Sequence, residues 1–208
     1  SIPIDDSDIS LETFTGKRIG VIGDFIADEY VYGHTDRISR EAPVLIIKQE
    51  SSKFFLGGGA NVVNNIKALG GNPIPIGIIG KDEPGKYIVK TYEKNEIDTS
   101  YIITDSHRTT PVKTRILAGG LNTTRQQVLR VDKENRISLT EKQELLLCEN
   151  LHEAISQLDA LIVSDYGDGT FGPRLIREIQ DLAHDNFFVS VDSRYQMEKF
   201  IGCTIFTP

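Results

Sequence analysis

Lys17-Arg18-Ile19-Gly20-Val21-Ile22-Gly23 is the stretch that decides the fold. It is apolar and β-branched without alternation, and it stops at a glycine, so it reads as a strand buried on both faces. The segments C-terminal to it set the architecture. From Ala60 to Leu69 the residues Val62, Val63, Ile66 and Leu69 recur at helical spacing. Ile74–Ile79 is a second buried strand. Asp82 and Pro84 open a helix that runs to about Lys94, and a short strand is expected near Tyr101–Ile103. Ser138 and Glu141 have the spacing of a capping box, and the helix after them carries Leu147, Leu151, Ile155 and Leu158 on one face. Ala160–Val163 is a strand, Pro173 opens a helix with Leu175, Ile176, Ile179 and Leu182 inward, and Phe187–Val191 and Thr204–Phe206 are further strands. Strands alternating with helices predict crossover units, hence an α/β fold with a mainly parallel sheet between helices.

Two stretches depart from this rhythm. Ala42–Leu56 and Pro111–Val131 have strand composition with no helix between, and the second turns back around Gly119-Gly120-Leu121-Asn122. Both are expected to leave the core and form one small β-sheet, a lid built from about 31–57 and 106–132. Residues 1–16 are polar and acidic and read as a flexible arm ahead of a domain over 17–208. Thr204–Pro208 reads as a buried strand that needs neighbours, so the C-terminal part of the domain is expected to lie beyond Pro208.

Composition narrows the function. The chain has 208 residues, 39% hydrophobic and 25% charged, with a net charge of −7. That balance disfavours nucleic-acid or membrane-surface binding, which needs clustered Lys and Arg. No apolar run approaches the ~20 residues of a membrane span, and the N-terminus lacks the basic and apolar regions of a signal peptide. Cys148 and Cys203 are the two cysteines, far apart and outside any ligand spacing. They read as reduced, buried thiols of a cytoplasmic protein, and no metal cluster is expected. The histidines His34, His107, His152 and His184 are scattered and receive no role.

Two glycine-bearing segments carry chemistry. Gly57-Gly58-Gly59-Ala60-Asn61 leads straight into a helix, where glycine lets a ligand approach and free N–H groups can meet it. It reads equally as a flexible turn before a helix, and it is no P-loop, because no Gly-Lys-Ser/Thr comes after it. Gly23-Asp24-Phe25-Ile26-Ala27-Asp28 lies at the carboxyl end of the first strand, the edge at which open α/β sheets bind ligands. Its carboxylates can accept sugar hydroxyls or simply cap turns. A dinucleotide site is disfavoured, because Gly20-Val21-Ile22-Gly23 lacks the G-x-G-x-x-G spacing.

Together with Gly70 and Gly80, Gly57–Asn61 resembles the first signature of the ribokinase-like, phosphofructokinase-B family of carbohydrate kinases. Val63 departs from it, standing where the family prefers a small residue. Arg37-Ile38-Ser39-Arg40-Glu41-Ala42-Pro43, the Arg115…Gln126-Gln127…Arg130-Val131-Asp132 stretch and Ser164-Asp165-Tyr166-Gly167 are similar to the kinase domain of bifunctional heptose-7-phosphate kinase/ADP-heptose synthases. The resemblance implies a central sheet between helices with a β lid over the sugar. It implies substrate contacts from Asp28, Gly57, Gly58, Asn61 and Asp165, with Arg37, Gln126, Gln127 and Arg130 on or near the lid, and it implies ATP with Mg²⁺. Asp192 and Arg194 would face the nucleotide. A lid-paired homodimer and a C-terminal nucleotidyltransferase domain are further implications.

Three features depart from the heptose pattern. Asp168 stands where those kinases carry Lys, and it is expected to turn toward solvent. Asp192-Ser193-Arg194 replaces Asp-Pro-Lys. The Gly-Ala-Gly-Asp motif whose Asp deprotonates the attacking hydroxyl is absent, so the catalytic residue is expected beyond Pro208 and these residues alone are expected to be inactive. The rival expectation is a non-catalytic sugar-binding or assembly module of the same fold.

Overall fold

β1 (Arg18–Gly23) is the central strand of the computed structural model, which describes residues 14–120, 124–135 and 137–207. After it come β2 (Phe25–Ile38), β3 (Leu45–Gly58), α1 (Gly59–Ala68), β4 (Asn72–Gly80), α2 (Glu83–Lys94) and β5 (Ile102–Asp105). The chain continues with β6 (Val112–Gly119), β7 (Gln126–Lys133), α3 (Glu141–Ile155), β8 (Ala160–Asp165), α4 (Pro173–His184), β9 (Val189–Ser193), a 3₁₀ turn (Met197–Phe200) and β10 (Ile205–Phe206).

The main sheet has the order β10-β9-β8-β1-β4-β5, and its pairings are all parallel among the described residues. The pleat of β1 sends Ile22 to one face and Ile19 and Val21 to the other. On the first face Ile22 meets Leu147 and Leu151 of α3, Leu175 and Ile179 of α4, and Phe200. On the second, Val21 meets Ala60, Val63 and Ile66 of α1 and Ile88 and Tyr92 of α2. This explains why the strand shows no alternation: both faces are covered. Each such aliphatic side chain contributes ~1.5–3 kcal/mol on burial. No helix is long and apolar enough to cross a membrane among the described residues.

A second sheet, order β3-β2-β6-β7, is mixed: β2 pairs antiparallel with β3 and parallel with β6, and β6 pairs antiparallel with β7. The fold-back expected after β6 is present in that last pairing, although Leu121 and Asn122 lie outside the described residues. The small sheet begins earlier than the sequence suggested. Phe25–Ile38 is one continuous strand of 14 residues, so the segment placed at the end of the first strand is itself extended through Asp28. Ala27, Asp28 and Glu29 have poor strand propensity, and pairing on both sides overrides it.

Three smaller expectations change. The capping box is Thr140 with Gln143, two residues after the predicted pair. Ser138-Leu139-Thr140-Glu141-Lys142-Gln143 fits the motif in both registers, and Gln143 is fixed in the second one by donating to Asp105 Oδ2 at 2.6 Å. Ile205 and Phe206 of β10 are 44% and 38% exposed rather than buried, and Cys203 is buried in the turn before that strand. Of the predicted arm, 1–13 lie outside the described residues, whereas Phe14–Gly16 are docked: Gly16 N–H donates to Gly70 O at 2.9 Å and Phe14 packs on the α1/α2 side.

Candidate functional site

The carboxyl ends of β1, β8 and β9 meet the start of α1 and the near end of the small sheet. Asp28 lies opposite Phe55 of β3 and Lys113 of β6. Its Oδ1 is 2.8 Å from Nη1 of Arg115. Both atoms are buried against each other in a charged pair whose alignment is poor for a hydrogen bond. A ligand hydroxyl can reach only the rest of the Asp28 carboxyl group, whose side chain is 21% exposed. The Arg115 guanidinium also lies 5.4 Å from the centre of the Tyr30 ring.

Glycine is required beside Asp28 for two different reasons. A Cβ on Gly57 would come within 2.9–3.1 Å of the Asp28 carboxyl group, so the missing side chain makes room for it. Gly58 has φ 52 and ψ −138, a conformation that side-chain-bearing residues avoid, and its Cβ would meet Asp24 O at 2.9 Å. The bend brings Gly59 N–H onto Asp24 O at 3.0 Å and starts α1 with no side-chain cap. The exposed Asn61 side chain stands in that first turn.

The loop after β8 forms the opposite wall. Asp24 is 2% exposed, and its Oδ2 accepts the N–H groups of Tyr166 at 2.8 Å and Asp168 at 3.2 Å. Burial raises its pKa to about 6 against the pull of the Thr170 hydroxyl and the two amides. Asp165 is also 2% exposed, and both its oxygens are used: Oδ1 accepts Gly167 N–H at 2.9 Å and Oδ2 accepts the Ser193 hydroxyl at 2.7 Å. It braces the ends of β8 and β9 and does not present a free oxygen to a sugar. Asp168 does not turn to solvent. It is 5% exposed, its Oδ1 accepts Asn135 N–H at 3.3 Å, and burial pushes its pKa up. The buried Arg108 closes this wall, donating to Asp168 O at 2.8 Å and Ile137 O at 3.0 Å.

One face of the small sheet carries Asp28, Tyr30, Lys113, Arg115, Arg130 and Asp132, which the strand registers place side by side. Arg130 makes a two-pronged bond to Asp132 at 2.7 and 2.6 Å. Lys113 has its ammonium 4.7 Å from the centre of the Tyr166 ring, which joins the small sheet to the β8 loop. Gln126 and Gln127 open β7 and are exposed, opposite Ala118 and Leu117. Arg37 does not join this group. It is exposed nine residues along β2 from Asp28, about 25–30 Å at strand rise. The three arginines of the quoted motifs do not converge: Arg115 pairs with Asp28, Arg130 with Asp132, and Arg37 is distant.

Asp192 and Arg194 flank the end of β9. Asp192 is half-buried with its pKa raised by burial and then by Asp165, and the exposed Arg194 guanidinium lies 5.6 Å from the centre of the Tyr195 ring. Arg194 suits a phosphate. No group of three or more His, Cys, Asp or Glu among the described residues could hold a metal ion. Sequence reasoning missed Lys113, Tyr166 and Arg108 as parts of the site and left Asp24 open between a sugar acceptor and a turn cap. The signal for Asp24 was its place at the end of a buried strand next to glycine.

A parallel sheet covered on both faces, a side sheet at the carboxyl edge and a glycine-led helix between them define a ribokinase-like fold. An Agrobacterium tumefaciens carbohydrate kinase aligns with TM-score 0.57 and 19% identity, covering 84% of this chain and 53% of its own. An Arabidopsis thaliana ribokinase, solved with ribose and ATP, aligns with TM-score 0.62 and 12% identity over 93% of this chain and 60% of its own. The model of the pfkB family of carbohydrate kinases matches residues 17–199, and the chain belongs to that family. Among curated proteins, the Bifunctional protein HldE of Helicobacter hepaticus is 35% identical over 193 residues, 92% of this chain and 39% of the relative. The chain thus spans about two fifths of the length of the curated relatives it matches.

Proposed function

We propose that this chain is the sugar-binding portion of an ATP-dependent carbohydrate kinase, and that its substrate is a sugar phosphate of the heptose 7-phosphate type. The observation that carries the proposal is the Asp28 carboxylate, seated over Gly57 beside the open start of α1 with part of its surface still open to solvent. Asp28 and Asn61 bind sugar hydroxyls, and Gly57 and Gly58 let the ring approach. Arg115 fixes Asp28, while Asp165 acts indirectly by bracing the β8 loop. The small sheet serves as a lid, with Lys113, Arg130, Gln126 and Gln127 available to the part of the substrate farthest from α1. In this reading Arg37, distant from Asp28, does not contact the same sugar molecule.

At the end of β9, Arg194 and Asp192 would be the residues that meet the phosphates of ATP and its accompanying Mg²⁺, which would supply the phosphoryl group and neutralise its charge. No Gly-Ala-Gly-Asp sequence occurs in the chain, so these residues bind sugar without transferring the phosphoryl group. The similarity to bifunctional proteins supports a nucleotidyltransferase partner domain in the whole protein, and the lid is the surface through which two copies would pair. The reading places the protein in the cytoplasm. An equilibrium binding panel tests the class of ligand. Heptose 7-phosphate is expected to bind more tightly than neutral heptose, and inorganic phosphate alone only weakly. Equal or better binding of the neutral sugar refutes the phosphosugar reading, and binding of no sugar refutes the site.

A further inference from the structure

Asp24 ties together more of the site than any residue the family resemblance singled out. Its backbone N–H donates to Ser164 O at 3.0 Å, and its backbone oxygen accepts Gly59 N–H at 3.0 Å. Its Oδ2 holds the amides of Tyr166 and Asp168. One residue therefore links the end of β8, the glycine start of α1 and the loop that carries Tyr166. The loop needs an external tether. Gly167 and Gly169 have φ 78 and φ 83, so its backbone visits conformations that only glycine adopts freely. Tyr166 in turn takes the Lys113 ammonium of β6, so the tether reaches the small sheet.

The carboxylate is also deeply buried. Its Oδ1 is shut from solvent with no well-aligned partner, and the Thr170 hydroxyl of the same loop is the side chain that favours its charge. A carboxylate held only by two amides and one hydroxyl at this depth is expensive in its charged form. A merely structural acceptor at this place could be an amide or a hydroxyl, without the cost of a charge. What ionisation adds is strength: bonds to a charged acceptor are roughly twice as strong as neutral ones.

We infer that Asp24 is a positioning residue for the sugar site, holding the Tyr166–Thr170 loop against the start of α1 only while its carboxylate is ionised. The inference rests on the proposed sugar-binding function for its consequence, but the tether itself does not. The ionisable and charged groups facing Asp24 are Asp165 of β8, Tyr166 and Asp168 of the loop, and Arg108 from the segment before β6. The start of α1 offers only glycine backbone there. Asp165 disfavours the charge and Arg108 favours it, and burial outweighs both, placing the transition at about 6.

The test is amide hydrogen exchange at Tyr166 and Asp168 in the sugar-free protein, corrected for intrinsic rates, from pH 5 to 8. In the wild type, protection of these two amides is expected to fall about tenfold as pH drops through the transition. In Asp24→Asn it is expected to be low throughout and independent of pH, with the amides of β1 and β4 unchanged. Heptose 7-phosphate affinity, measured in parallel, falls with pH more steeply in the wild type than in the variant, whose remaining pH dependence is that of the ligand phosphate, with its second pKa at about 6. Flat protection in the wild type overturns the inference, and that measurement needs no variant to fold. A variant whose amides keep the wild-type profile overturns it as well. If protection changes as expected but no sugar binds, the tether stands and the sugar-binding function fails.

Discussion

Replacing Gly57 or Gly58 by alanine separates the two tasks that glycine performs beside Asp28. At Gly58 the backbone itself is the obstacle. Alanine at φ 52, ψ −138 costs ~1–3 kcal/mol of backbone strain. Its Cβ also meets Asp24 O at 2.9 Å and Ile26 Cδ1 at 2.8 Å, and Asp24 is pinned by Ser164 and cannot yield. With overpacking added, Gly58→Ala should lose ~2–4 kcal/mol of stability. Gly57 is different. Its new Cβ would press only on the Asp28 carboxyl group, the movable end of a side chain, at 2.9–3.1 Å. Swinging that group aside costs ~0.5–1.5 kcal/mol of rotamer energy. The same movement takes the carboxylate away from the sugar, losing one or two charged hydrogen bonds at ~1.5–3 kcal/mol each, so heptose 7-phosphate affinity should drop at least tenfold. Urea denaturation and calorimetry read the two effects separately. If Gly58→Ala is within ~0.5 kcal/mol of wild type, or if Gly57→Ala binds sugar normally, the geometry assigned to this corner is wrong.

The charges around the site set further outcomes. Because Asp24 has its pKa raised from 3.8 to about 6, the folded state holds its proton more tightly than the unfolded state does. Stability to global unfolding should therefore rise as pH falls from about 6 toward 4, by at most ~3 kcal/mol from this group and less by what the loosened Tyr166–Thr170 loop forfeits, and Asp24→Asn should flatten the curve in urea titrations. Asp168 and Asp192 act in the same direction; the lowered carboxylates Asp36, Glu50, Glu83, Asp105 and Asp132 oppose it, but they lie at or near the surface, where solvent screens their contribution. Arg115→Met should weaken sugar binding by leaving Asp28 unsupported, whereas Arg37→Ala should leave it within about twofold, inside the ~0.5 kcal/mol of a remote surface change; a large effect of Arg37→Ala would mean that a second copy of the chain brings that end of β2 to the site. Asp165→Asn should remove no sugar contact directly but should loosen Ser193 and Gly167, seen as faster amide exchange at Gly167.

The parallel core was legible because strands buried on both faces give unbroken apolar runs, and Ile19, Val21 and Ile22 fill opposite sides of one strand. The glycine corner was only half legible, since Gly57-Gly58-Gly59 before a helix reads equally as a flexible turn, and the neighbouring Asp24 and Asp28 that give it its task come from another strand. The small sheet was only half visible. Strand β2 carries Asp28, Glu29 and Asp36, whose propensities argue against a strand, and its pairing with two neighbours is a tertiary fact. The roles of the charged residues were least visible. Sequence shows that Arg115 and Arg130 are near in the chain, but only register shows that each faces a carboxylate. Likewise nothing local distinguishes Asp28, whose carboxyl group is partly open to solvent, from Asp165, which is buried with both oxygens engaged.

Calorimetric titration of heptose 7-phosphate into the wild-type protein and into Asp28→Ala tests the central claim most directly. The account predicts saturable binding to the wild type and a loss of ~2–4 kcal/mol in the variant, equivalent to roughly thirtyfold or more, with the fold intact by denaturation. Equal affinity of the two proteins would contradict it, because the neighbouring Asp24 and Asp165 are buried and committed to the β8 loop, and neither can take the place of Asp28.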